Sequence, residues 1–108
     1  MSKKLRGLPK RITVGWRTFK VAGFDNASKA EYSGQADVVA GELRFNLNHD
    51  DQFLAQILLH ELIHSIFQVY TDNEGVSEGM VDALASGLQT LWRDNPELIK
   101  WLDHRIKG

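Results

Sequence analysis

Read for period alone, the chain divides in two. Ile12, Val14 and Trp16 alternate with polar residues, and after a break at Arg17-Thr18 the alternation resumes at Phe19 and Val21, which predicts a β-hairpin. Residues 24–31 (FDNASKAE) carry no period and read as loop or a single helical turn. From Ser33 the strand pattern returns, through Gly34 and the branched pair Val38-Val39, with a turn at Ala40-Gly41 and alternating Leu43, Phe45 and Leu47. These runs predict three or four strands in one small, mainly antiparallel sheet.

Beyond Asn48 the period changes. Asn48-His49-Asp50-Asp51 supplies helix caps and negative charge where the helix dipole favours it. The following segment, about 50 to 70, has apolar residues on almost every face (Phe53, Leu54, Ile57, Leu58, Leu59, Leu62, Ile63, Ile66, Phe67, Val69), the pattern of a core helix packed on several sides. Thr71 to Val76 reads as loop. A second helix runs from Ser77 to about Trp92 on a stripe of Val81, Leu84, Leu88 and Leu91, and its small residues Ala83, Ala85, Ser86 and Gly87 allow close approach to a neighbour. Asn95-Pro96-Glu97 starts a third helix with Leu98, Ile99, Trp101, Leu102 and Ile106 on its apolar side. Trp16, Trp92 and Trp101 each lie on an apolar stripe and are expected to anchor the core. The fold class is therefore α+β: a small sheet packed on a buried helix, with two further helices.

Composition narrows what such a fold can do. With 108 residues, 43% hydrophobic and 25% charged, the chain suits a single domain over 1–108, with 1–10 (Lys3, Lys4, Arg6, Lys10) as a flexible basic tail. It has no cysteine, so any metal must be held by His, Asp or Glu, and a reducing, cytoplasmic setting is expected. No apolar run approaches the roughly 20 residues that span a bilayer, nor does a signal-type segment follow the basic N-terminus, so no membrane association is expected. The net charge of −1 conceals an asymmetry. Between Phe45 and Trp92 there is no Lys or Arg but seven acids, Asp50, Asp51, Glu61, Asp72, Glu74, Glu78 and Asp82. That stretch suits a cation and disfavours nucleic acid.

Within it lies His60-Glu61-Leu62-Ile63-His64. Four residues advance a helix by slightly more than one turn, so His60 and His64 share a face and can bind one ion. Glu61 is offset beside them, able to act on a metal-activated water without being a ligand. Two imidazoles and a carboxylate on a packed helix also need partners, because unpaired burial costs on the order of 1–3 kcal/mol per neutral group. Catalytic zinc takes three protein ligands plus water. Glu78, at the start of an antiparallel second helix, is the best third ligand, and Glu74 is the next choice. Asp82, one turn beyond Glu78, is placed to accept the outward N–H of a ligand imidazole and so fix its tautomer. His49 and His104 are expected to be exposed bystanders.

The HELIH segment followed by Glu78-Gly-Met-Val-Asp82 resembles the HExxH plus ExxxD pattern of the gluzincin metallopeptidases, within the zincin fold. The short length, the N-terminal strands and Asp82-Ala-Leu-Ala are similar to minimal zincin-like proteins of tailed phages and prophages. The resemblance covers roughly residues 10 to 100 and rests on two short motifs. It implies Zn2+ held by His60, His64 and Glu78, Glu61 as general base, and hydrolysis of a peptide bond in a protein substrate. A substrate bound as an added strand along the sheet edge next to the site would need no second domain. Two features depart from the pattern. Only 13 residues separate His64 from Glu78, fewer than in large gluzincins, and no motif backs an oxyanion stabiliser among Tyr32, His49, Tyr70 and His104. The alternatives are a non-catalytic module in which zinc holds the helices together, and a metal-free helical interaction protein.

Overall fold

The computed structural model describes residues 7–24, 34–71 and 75–108. Four strands, β1 (Arg11–Val14), β2 (Arg17–Phe24), β3 (Gly34–Asp37) and β4 (Glu42–Asn46), precede three helices, α1 (Asp51–Tyr70), α2 (Glu78–Asp94) and α3 (Pro96–Lys107). The α+β class expected from the two periods is the one observed. The loop expected at 24–31 falls almost wholly outside the described residues; Phe24 itself closes β2.

The strands form one sheet in the order β1-β2-β4-β3. Two antiparallel hairpins, β1/β2 with Ile12 opposite Phe19 and β3/β4 with Ala36 opposite Leu43, are joined side by side through a parallel β2–β4 pairing in which Val21 faces Leu43. The sheet is mainly antiparallel, as expected, with this parallel seam at its centre. Lys10, assigned to the tail, already belongs to the sheet, since its carbonyl accepts the Val21 N–H at 2.9 Å.

One face of the sheet is covered by α1. Phe19, Leu43, Phe45 and Ile57 are buried together, with Ile12, Val14, Val21, Leu54, Leu58, Leu62 and Val69 around them. Each large apolar side chain withdrawn from water here contributes about 1.5–3 kcal/mol. On the other face Thr13, Thr18 and Lys20 are exposed, and Arg44 lies over the Phe24 ring at 5.6 Å.

Further expectations need correction. Val38-Val39 does not extend β3. The strand stops at Asp37, whose carboxylate accepts from the Val39 and Ala40 N–H groups, while the Arg17 guanidinium donates to the Val38 and Val39 carbonyls. Turn chemistry at Asp37 thus overrides the branched pair's preference for strand. Of the small α2 residues, Ala85 is buried against α1 and Ser86 accepts a hydrogen bond from Gln56, whereas a side chain at Gly87 would meet nothing, so Gly87 takes no part in the close approach. Finally, the tryptophans are not core anchors: Trp16 is 72% exposed, Trp92 64% and Trp101 54%, and no residue of α3 is buried.

The helix ends follow their caps. The Asp50 carboxylate accepts the Phe53 N–H at 2.8 Å, and the Ser77 hydroxyl accepts the Met80 N–H at 3.1 Å, starting α1 and α2 one residue later. Asn95 acts differently from its expected role as the cap of α3. Its side-chain amide donates to the Leu91 carbonyl and closes α2 instead. No helix among the described residues is long and apolar enough to cross a membrane.

Candidate metal centre

Helices α1 and α2 run antiparallel, as the ties along their seam show. Glu78 and Asp82 meet His60 and His64 at one end, Gln56 donates to Ser86 further along, and Gln89 donates to the Gln52 carbonyl at the far end. The apolar core of this seam is small: Ile63, Val81 and Ala85, flanked by Leu59, Phe67 and Val76. Glu78 and Asp82 stand one turn apart on α2, as His60 and His64 do on α1, so the two pairs meet as facing rungs.

The distances are compatible with a cation site. His60 Nε2 lies 3.1 Å from His64 Nε2 and 3.1 Å from Glu78 Oε2, and His64 Nε2 lies 2.6 Å from Glu78 Oε1. Ligand atoms about 3.3 Å apart surround a tetrahedral zinc with bonds of about 2.0–2.1 Å, so this spacing needs little adjustment. His60, His64 and Glu78 form a group that could hold a metal ion. Asp82 Oδ1 sits 2.8 Å from His60 Nδ1. A proton on Nδ1, donated to Asp82, leaves Nε2 as the bare nitrogen of the neutral ring, turned toward the cluster. The rings are mostly buried, whereas the Glu78 side chain is 72% exposed, so the cluster opens to solvent on the α2 side.

Glu61 occupies different surroundings. It is 7% exposed and faces β3, where the Ala36 backbone lies beside its carboxylate. Burial raises its pKa above the ordinary carboxylate value, although His60, His64 and the Ala36 backbone pull it back, and Glu78 pushes it up further. The strand reaches this carboxylate because residue 34 is glycine. A Cβ there would lie 2.9 Å from Ile57 Cγ2 and 3.0 Å from Glu61 Cγ.

Of the residues singled out from sequence, His60, His64, Glu78 and Asp82 are brought into one cluster, with Glu61 beside it on the sheet side. Glu74 and Tyr32 lie outside the described residues. Tyr70 is at the far end of α1 against Gly15, and His104 is exposed on α3. His49 is not the exposed bystander expected; it is half-buried, with its ring edge-on to Phe53 at 4.7 Å, eleven residues before His60.

One residue that the motifs did not point to is Gln68. Its side-chain amide donates to the Ala36 carbonyl at 3.1 Å, and its Oε1 accepts the Val38 N–H at 3.1 Å. Together with Glu61, it occupies the outer rim of β3, the edge expected to receive a substrate strand. A signal was present, because Gln68 continues the His60–His64 row by four residues and falls two turns beyond Glu61.

No protein-family model, curated protein or solved structure matches this chain.

Proposed function

We propose that the chain is a zinc-dependent peptidase acting on a protein or peptide substrate. The observation that carries this reading is the convergence of His60 Nε2, His64 Nε2 and Glu78 within bonding range of one ion, with Asp82 on the outer nitrogen of His60. The donor set supports zinc, since two neutral imidazoles and one carboxylate are a familiar ligand set for catalytic zinc, whereas all-oxygen shells suit magnesium and calcium. The gluzincin resemblance of the same residues points the same way. When bound, zinc supplies a Lewis acid that polarises a peptide carbonyl and acidifies a water.

The protein groups do the rest. His60, His64 and Glu78 hold the ion, and Asp82 keeps His60 in the ligating tautomer. Glu61 takes the proton from the attacking water and returns it to the leaving amine. Burial, which raises the pKa of Glu61, makes it a readier proton acceptor than an exposed carboxylate. A substrate would add as an extended strand along β3, whose rim runs past Glu61. Resemblance to phage zincins favours a dedicated protein over bulk peptides, and the lack of cysteine suits a reducing compartment such as the cytoplasm.

A second reading is favoured by the small apolar core between α1 and α2. There, zinc would staple the two helices in a binding or regulatory module that cleaves nothing. Zinc content and cleavage of a broad peptide library, compared between wild type and Glu61→Gln, separate the two. The peptidase reading expects about one zinc per chain in both proteins and cleavage by wild type alone. Zinc in both with cleavage by neither supports the staple, and no zinc in either removes the site.

A further inference from the structure

We propose that Gln68 is an internal latch on a strand-binding edge: its carboxamide occupies the hydrogen-bonding positions of an added strand at Ala36 and Val38, and an extended peptide displaces it on the way to the metal cluster. The inference rests on the reading of β3 as the substrate edge and adds how that edge is kept closed.

Among the described residues, β3 is terminal in the sheet order, with β4 on one side only. Its outward backbone groups are the row an incoming strand would pair with. Gln68 of α1 takes two groups along this edge, the Ala36 carbonyl and, just past the end of β3, the Val38 N–H, and Glu61 lies beside the Ala36 backbone. The Gln68 amide bridges the carbonyl and N–H that flank Asp37, the pair that one residue of a parallel neighbour would engage. A peptide group thus offers the edge what Gln68 offers. Two neutral bonds are also weak enough to exchange, since each shifts an equilibrium by roughly 2–10-fold.

The test uses the full chain as wild type, Gln68→Ala and Gln68→Glu, with backbone amide exchange and with binding of acetyl-Thr-Val-Thr-Val-Thr-amide, alongside a version of that peptide N-methylated to block strand pairing. With the latch removed, Gln68→Ala should exchange the Val38 amide about ten-fold faster, leave the β2–β4 amides unchanged, and bind the unmethylated peptide about ten-fold more tightly. The methylated peptide should show no gain. Gln68→Glu keeps an acceptor for Val38 and loses the donor to Ala36, so it should fall between wild type and alanine, and it carries the test alone should the alanine variant fail to fold.

An unchanged Val38 exchange rate overturns the proposal, as does a freed Val38 amide without tighter peptide binding, which would make Gln68 a plain edge cap. Absence of binding to every variant overturns it too. Because neither readout needs zinc or cleavage, an inactive protein would defeat the peptidase reading and leave this result standing.

Discussion

Toward the sheet, α1 sets Leu54, Ile57, Leu58, Leu62 and Val69 against Phe19, Leu43 and Phe45; toward α2 it meets Val81 and Ala85 with Leu59, Ile63 and Phe67. The first contact is wide, aromatic and apolar. The second is narrow and ends in four titratable side chains, His60, His64, Glu78 and Asp82. The same helix is therefore held by apolar burial on one side and in part by polar geometry on the other. The difference teaches where a metal would matter: its binding energy would fall on the α1–α2 seam, while the sheet side is secured by side chains that need no ion.

The comparison breaks most visibly on the sheet side. Phe19→Ala should cost about 3–5 kcal/mol in urea unfolding, by the same amount with and without zinc, because the cavity lies in the core remote from the cluster. An equal loss from Phe67→Ala would show that the two contacts are alike after all. The seam is sharpened next. Asp82→Ala should weaken zinc binding by roughly 10–100-fold, the usual cost of losing the partner of a ligand imidazole, and Glu78→Ala should weaken it more. In both variants, amide exchange read at saturating zinc should rise in α2 and stay unchanged in β2 and β4; unaltered zinc affinity in Glu78→Ala would assign the third ligand elsewhere. The smallest effect is expected outside both contacts, where Trp101→Ser on α3 should shift stability by no more than about 0.5 kcal/mol.

Much of this arrangement was legible because it is written at helical spacing. His60/His64 and Glu78/Asp82 are one-turn pairs, and a short loop between two helices leaves few ways for them to meet. Helix starts were equally readable, since Asp50 and Ser77 make local bonds that depend on nothing distant. The sheet order was not readable. A parallel β2–β4 seam depends on which alternating runs become neighbours, and alternation is the same whichever neighbour is chosen. The tryptophans failed for a related reason: a stripe shows which side of an element would be buried, but not whether anything is there to bury it. Val38-Val39 was misread because Asp37 and Arg17, distant in sequence from one another, together hold the turn. Gln68 sat in plain view among apolar letters, and only its pairing with β3 gave it a meaning.

The covered edge has one more consequence. An uncovered strand rim is a template for any other chain, and sheets protect such rims by keeping them short, charged or occupied. β1, at the opposite end of the sheet, is four residues long and starts with a cation at Arg11 next to Lys10. β3 carries no positive charge of its own and relies on Gln68 and Glu61 for the same protection. Variants that bare this rim should therefore be the first to aggregate as concentration rises, which gives Gln68 a role in keeping the protein dispersed whatever binds the edge.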